Sequence, residues 1–360
     1  MKETIRVLYI SNNENVFGGA PKSIYDIISN LDHNKVTPYF ASTYNGDLAK
    51  NIINLGVPFL QLPSFSKQKP HRFILEINTL IQFIEKNKIN IIHNNQSKDT
   101  LYSLLPAKLT NTPLITHHRD QTFYRLDKIL SRLVTANIAI SSWQNKQYFD
   151  NKAILIHNGI PMGMIPKEIP LKSKNNYRIG LVGRIAPMKG QDTFIKAASI
   201  VHKYNQEIEF KIIGDDSGTH YPDFLNNVKK MVCDFSLEKS VQFVGYVKNL
   251  EEIYSSLDIS VIPSRCEPFG KTIIESMAYA LPVIGTNTGG ALDIITKQTG
   301  LIVPVDDEKA LAEAIIYLQR DPNLCFRMGA AGHERVKQNF TIERTISKLV
   351  DLYYTILGTK

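Results

Sequence analysis

The chain reads as an α/β protein built from two doubly wound, parallel-sheet domains in series. Three observations predict this. Short aliphatic runs alternate with helix-periodic stretches through both halves of the sequence. A stretch punctuated by prolines and lysines near residues 160–176 interrupts the alternation. And 360 residues suit two domains better than one.

The first series opens at residues 6–11, where Val7-Leu8-Tyr9-Ile10 makes a buried-strand run. Behind the turn Phe17-Gly18-Gly19-Ala20-Pro21, residues 20–30 form a helix. Residues 36–43 supply the next strand and residues 48–55 the next helix. Over residues 72–87, Phe73, Ile74, Ile77, Leu80, Ile81 and Ile84 recur at helical spacing. Strands at 89–93, 114–117, 138–141 and 154–157 complete the series, with helices at 99–109 and 123–135. Pro161, Pro166 and Pro170, followed by Lys172-Ser173-Lys174-Asn175-Asn176, read as a linker. The second series has strands at 177–182, 210–213, 241–244, 259–263, 283–286 and 301–303. Helices at 193–204, 221–235, 250–255 and 308–319 lie between them. The predicted domains are 1–160 and 161–341, and a closing helix covers about 342–357.

Composition excludes several classes. At 43% hydrophobic and 21% charged, the chain is ordinary globular protein. No apolar run approaches the roughly 20 residues a membrane-spanning helix needs, and the start carries no signal-peptide pattern. Cys233, Cys266 and Cys325 are far apart, with neither a disulfide framework nor metal spacing, which suits a reducing cytoplasm. Residues 1–165 hold 18 Lys and Arg against 11 Asp and Glu; the remainder holds 24 against 23. The basic front half suggests an anionic partner, or a surface tuned for solubility.

The chemistry concentrates in loops after strands, where open α/β sheets bind ligands. Glu267 and Glu275 stand eight residues apart around Pro268-Phe269-Gly270-Lys271. A strand precedes this segment and a helix, ended by Pro282, follows it. One carboxylate falls in the turn and the other one turn into the helix, beside N–H groups that suit an anion. Gly183-Arg184-Ile185-Ala186-Pro187-Met188-Lys189-Gly190 places two fixed cations five residues apart, matched to a diphosphate. Gly18-Gly19 and Gly289-Gly290 are turns that let backbone approach a ligand, or plain tight turns. His117 and His118 end a first-domain strand; one could meet a sugar hydroxyl, and no third ligand suggests a metal. Asn158 sits where the first series ends and reads as hinge geometry with a ligand contact as a further option. Residues 67–72 (Lys67-Gln68-Lys69-Pro70-His71-Arg72) and the set Arg119, Arg125, Lys128 and Arg132 with Phe123 and Tyr124 are candidate acceptor surfaces. The alternative for the second set is a solvated helix face over a buried stripe of Leu126, Ile129, Leu130 and Leu133.

Together these motifs resemble the retaining, family-4 glycosyltransferases of the GT-B fold, over nearly the full chain and in the right order. Gly-Gly-Ala follows strand one. Thr-x-His, Asn-Gly-Ile, Gly-Arg-x4-Lys-Gly, Pro-Ser-x-x-Glu-x-Phe-Gly…Glu and Gly-Gly follow in turn. Pro161, Leu292-Asp293 and Asn137 depart from the family's frequent residues. The resemblance implies two Rossmann-like domains facing across a cleft, with the last helix, about 342–360, packing back on domain 1–160. It implies donor-diphosphate contacts from Arg184 and Lys189, ribose contacts from Glu275, and donor-sugar contacts from Glu267 with Phe269, Gly270 and Lys271. Gly18 and Gly19 would lie near phosphates and acceptor, and His118 would be the active-site histidine. His117, Asn158, Gly289 and Gly290 are secondary candidates.

The expected activity is retaining transfer of a hexosyl or N-acetylhexosaminyl group from a nucleoside-diphosphate sugar to a hydroxyl. No metal or other cofactor is expected. The expected acceptor is a glycan or lipid-linked precursor of a surface polysaccharide, such as lipopolysaccharide or capsule. The expected location is the cytoplasm, with peripheral attachment to the anionic inner face of the membrane. Nucleic acid is not an expected partner, since no recognition motif accompanies the charge. A sugar-nucleotide epimerase of the same fold, or a non-catalytic carbohydrate-binding subunit, is the alternative.

Overall fold

The computed structural model describes residues 4–15, 18–63, 71–120, 123–166, 177–216 and 221–358. Phe17, residues 67–70, Pro170 and residues 172–176 lie outside the described residues, as do the side chains of residues 71–74. The chain divides into two compact units, Met1–Pro161 with Thr341–Lys360, and Met162–Phe340.

The first unit runs β1 (Ile5–Ile10), α1 (Gly19–Ser29), β2 (Val36–Ser42), α2 (Asp47–Ile53), β3 (Phe59–Gln61), α3 (His71–Lys86), β4 (Ile91–Asn94), α4 (Thr100–Leu109), β5 (Leu114–His118), α5 (Arg125–Leu130), β6 (Ala136–Ala139), α6 (Ser142–Phe149) and β7 (Ile154–Leu155). The seven strands are parallel in the order β3-β2-β1-β4-β5-β6-β7. Side chains alternate across β1 and divide the core in two. Ile5, Val7 and Tyr9 face Ile24, Ile27 and Ile28 of α1. Leu8 and Ile10 face Leu80, Ile84 and Ala107 on the other side.

The second unit runs β8 (Arg178–Val182), α7 (Gln191–Tyr204), β9 (Glu209–Ile213), α8 (Pro222–Asp234), β10 (Val241–Gly245), α9 (Leu250–Ser255), β11 (Ile259–Ile262), α10 (Lys271–Ala278), β12 (Val283–Thr286), α11 (Ala291–Ile294), β13 (Gly300–Val303), α12 (Glu308–Arg320) and α13 (Pro322–Asn339). Its parallel sheet has the order β10-β9-β8-β11-β12-β13. The chain then returns to the first unit as α14 (Ile342–Leu357), which lays Ile342, Ile346, Leu349 and Tyr353 into the β1–α1 core. Residues 157–160 receive the start of that helix. Ile342 donates its N–H to the Ile160 carbonyl at 2.9 Å, and Thr345 Oγ1 donates to the His157 carbonyl at 2.9 Å.

Several expectations need correction. The helix expected over 123–135 is confined to Arg125–Leu130, because Arg132 and Leu133 turn to i→i+3 bonding with Ile129 and Leu130. Its stripe is not buried: Leu126, Ile129 and Leu133 are exposed. Arg119 leaves the proposed surface, since it is buried. The helix before Pro282 ends earlier, at Ala278. Ala280 adopts φ 54°, with bonds from Ala280 N–H to Met277 and from Leu281 N–H to Ser276, a left-handed helix closure.

Candidate functional site

The second unit carries the two cations, Glu267 and the paired glycines on the segments after β8, β11 and β12, and Glu275 on α10. Gly183 follows β8 and donates to the Ile213 carbonyl at 2.9 Å, while the Ile185 N–H donates to the Asp215 carbonyl at 2.7 Å. These bonds fix the loop that bears Arg184. Gln191 Nε2 donates to the Arg184 carbonyl at 2.8 Å. The Arg184 side chain is exposed and makes no ion pair among the described residues. Lys189 closes a turn of 3-10 helix, and Gly190 follows at φ 71°. A Cβ at Gly190 would collide with the Pro263 carbonyl, so only glycine lets this loop lie against the end of β11.

Lys189 Nζ meets Glu267 Oε2 at 2.6 Å, and Ser264 Oγ donates to the same oxygen at 3.3 Å. Ser264 is itself held, its carbonyl accepting from Thr286 Oγ1 at 2.5 Å. Glu275 lies in α10 one turn beyond Gly270, which takes φ 107°. Its Oε2 accepts from the Tyr254 hydroxyl at 3.0 Å, and burial drives the Tyr254 phenol well above its ordinary range. Glu267 and Glu275 are each 7% exposed, so the pair is recessed without being sealed. Phe269 is buried edge-on to Phe340, and Lys271 is the first residue of α10. Leu181, Val182, Lys189, Ile262, Pro263, Ser264 and Thr272 line a narrow crevice beneath this group.

Gly289 and Gly290 make their close approach to protein. The Gly290 N–H donates to the Glu267 carbonyl at 2.9 Å. Side chains at these two positions would strike the backbone of Glu267 and Phe269. The turn therefore shapes the Glu267 loop from behind.

Arg265 is the residue that motif reading passed over. Its guanidinium reaches Asp192 at 2.7 Å and 3.0 Å and Asp306 at 2.7 Å, and it donates to the Pro187 carbonyl. Its own N–H donates to the Met188 carbonyl at 2.9 Å. Hydrogen bonding to Asp192 first, then Asp306, raises its pKa. Arg265 thus fastens the Lys189 loop to the Glu267 loop from two residues away. An arginine between Ser264 and Cys266 gave one sequence clue, its forked donors, but no indication of its partners.

In the first unit the two histidines diverge. His118 gives Nε2 to Asn137 Oδ1 at 2.8 Å and pairs Nδ1 with Ser97 Oγ at 2.7 Å. Burial lowers its pKa to about 4, so the ring is neutral. Any substrate contact from His118 must exchange one of these bonds. His117 points to the opposite face of β5 and accepts from Arg119 at 3.0 Å. Arg119 also donates to Asn158 Oδ1 and, at 3.0 Å, to Asn95 Oδ1. Asn95 in turn donates to the Ala20 carbonyl at 3.1 Å, linking this buried group to the start of α1. Burial brings the Arg119 guanidinium down to about 9. His117, Asn158 and α1 are joined through Arg119, while the ring of His118 bonds Ser97 and Asn137 instead. Gly18 takes φ 100°, and a side chain at Gly19 would meet nothing within 4 Å.

Residues 166–335 match the family described as glycosyl transferases group 1. The chain is 26% identical to the Rhizobium leguminosarum lipopolysaccharide core biosynthesis mannosyltransferase LpcC, over 76% of this chain and 80% of that protein. It is 25% identical to the Staphylococcus aureus capsular polysaccharide biosynthesis glycosyltransferase CapM, over 77% and 80%. A third relative, the Rhizobium meliloti mannosyltransferase LpsB, is 30% identical over 50% of this chain, which spans only 52% of that protein. A glycosyltransferase from Rickettsia africae superposes with a TM-score of 0.88 at 23% identity, covering 99% of this chain and all of that one. Anabaena HepE, solved with UDP and glucose, gives 0.82 at 18% identity, covering 97% and 99%. These likenesses show the GT-B fold.

Proposed function

We propose, from the premise that this chain is a GT-B glycosyltransferase, that it moves a hexosyl or N-acetylhexosaminyl group from a nucleoside-diphosphate sugar to a hydroxyl acceptor with retention. The observation that carries the reading is the ion pair of Lys189 and Glu267 at 2.6 Å, with Glu275 one turn along the following helix. Cation, carboxylates and helix start share one unit, as a ligand joining diphosphate to two polyols would require. The second unit is the proposed donor domain and the first the proposed acceptor domain.

In this scheme the bond between the anomeric carbon and the diphosphate oxygen breaks, and its electrons stay on the leaving diphosphate. Arg184 and Lys189 stabilise that charge, with N–H groups near Gly270 and Lys271 adding dipoles. The acceptor oxygen bonds to the anomeric carbon on the face the diphosphate leaves, and its proton passes to a leaving phosphate oxygen. Glu267 orients the sugar and faces the positive charge developing on the ring. Glu275 takes the ribose hydroxyls, with Tyr254 holding the carboxylate. In this reading the two cations do the work a metal ion does elsewhere, and none is required.

Relatives that build lipopolysaccharide core and capsule support a surface polysaccharide precursor as the acceptor. Three free cysteines favour a reducing compartment. The proposed location is the cytoplasm, at the inner face of the membrane. Purified protein should be incubated with a panel of nucleotide sugars and glycan or lipid-linked acceptors, with and without EDTA. NMR of the product should show the donor's anomeric configuration, with EDTA harmless. Inversion, a metal requirement, or conversion of the donor without acceptor would each defeat the corresponding part of the reading.

A further inference from the structure

We propose that the first unit docks on an anionic lipid bilayer through α5 and the turn that follows it. This deepens the reading of a membrane-borne acceptor and rests on it. Tyr124, Leu126, Ile129 and Leu133 are 69%, 49%, 56% and 46% exposed. Leu126 and Ile129 stand at i and i+3 on one face of α5, and the exposed Leu133 follows in the turn after it. Arg125, Lys128 and Arg132 are exposed between them. Asp127 is the one acid in residues 123–135, and its carboxylate caps the helix by accepting the Tyr124 N–H at 2.8 Å.

A second stripe lies nearby in the fold. On α4, Leu101, Leu105 and Leu109 are 47%, 46% and 60% exposed at i, i+4 and i+8, with Lys108 beside them and no acid on the helix. The β4–β5 and β5–β6 crossovers advance in the same direction along the sheet, so right-handed connections put α4 and α5 on one face.

Charge chooses the occupant. A second copy would bring cations against cations. A nucleic acid would leave the aliphatic tips wet. Aliphatics that enter the acyl boundary while cations stay among anionic headgroups use both features.

The test is co-sedimentation with vesicles of phosphatidylglycerol and phosphatidylcholine, against phosphatidylcholine alone, at low and high salt. The full chain should bind the anionic vesicles and release with salt. Arg125→Gln, Lys128→Gln and Arg132→Gln together should weaken binding about a hundredfold. Leu126→Ser, Ile129→Ser and Leu133→Ser together should abolish it with the melting temperature unchanged, since these side chains are already exposed. Equal binding to neutral vesicles, no binding, or indifference to both triple variants overturns the proposal. So does a serine variant that changes the oligomeric state by sedimentation velocity while leaving vesicle binding intact. Because no donor or acceptor is added, failure here is separable from failure of the transferase reading, which shows as no transfer to a water-soluble acceptor.

Discussion

Replacing Lys189 by methionine tests the centre of the site. At 2.6 Å the Lys189–Glu267 attraction is about 6 kcal/mol at an effective dielectric of about 20. Both side chains are mostly withdrawn from water, at 20% and 9% exposure, so solvent screens the pair only in part. Removing the lysine leaves a recessed carboxylate beside the Ser264 hydroxyl, a loss of about 3 kcal/mol. For a unit of this size that is a fall of roughly 6–12 °C in the second unit's calorimetric transition. Glu267→Gln added to Lys189→Met should restore most of it, because a neutral pair leaves no stranded charge. Titration calorimetry with UDP and GDP supplies the functional arm. Lys189→Met should weaken the nucleotide that wild type binds at least tenfold, about 1.4 kcal/mol. Glu267→Gln alone should hold or tighten it, since Lys189 is released, while sugar transfer collapses. If the single and double variants melt together, or if Lys189→Met binds nucleotide like wild type, the pairing does not organise the site.

Arg265→Met should weaken nucleotide binding although Arg265 does not line the crevice, and Arg265→Lys should rescue it only in part, because lysine cannot span Asp192 and Asp306 together; calorimetry reads both. Burial lowers His93 to about 3 and His118 to about 4, and lowers His117 well below its ordinary value. Through these rings the unfolded chain binds more protons between pH 6.5 and 4, so their contribution falls as pH drops through that window, while Asp99, raised by burial to about 7, offsets part of it. Each histidine costs about 2 kcal/mol at pH 5, and His118→Gln should flatten the pH dependence of the first unit's urea midpoint. Gly19→Ala should leave the unfolding free energy within about 1 kcal/mol of wild type yet impair transfer. Gly290→Ala, which pushes a methyl into Phe269, should lower the melting temperature as well.

Much of the fold was legible because buried parallel strands are short aliphatic runs, and here they are bounded by turn residues. What escaped has physical reasons. Helix α6, Ser-Trp-Gln-Asn-Lys-Gln-Tyr-Phe, has no apolar period to read; it forms because Ser141 caps it and Asn145 ties its end to Ala153. Helix α13 carries Gly329 and Gly332, which weaken a helical reading, yet a side chain at Gly329 would strike the Ala280 backbone. Strand β3 is three residues at a sheet edge. For the site, residue type and position after a strand located Arg184, Lys189, Glu267 and Glu275. Sequence could not reveal that Lys189 pairs with Glu267, that Gly290 braces the Glu267 loop, or that Arg265 clamps two loops. Those depend on which loops neighbour one another. Alternation along β5 sends adjacent histidines to opposite faces, which the bare pair His117-His118 did not disclose.

The return of α14 carries a consequence for how the molecule is made. Tyr353 is wholly buried, with its hydroxyl on Tyr9 at 3.2 Å and on His93 at 2.5 Å. Strand β1 therefore waits for a segment translated 344 residues after it. A nascent chain on the ribosome holds an incomplete first unit, its aliphatic flank open, while the entire second unit is synthesised and free to fold. Deleting residues from 341 onward should reproduce that arrested state, a sticky first unit beside a sound second one.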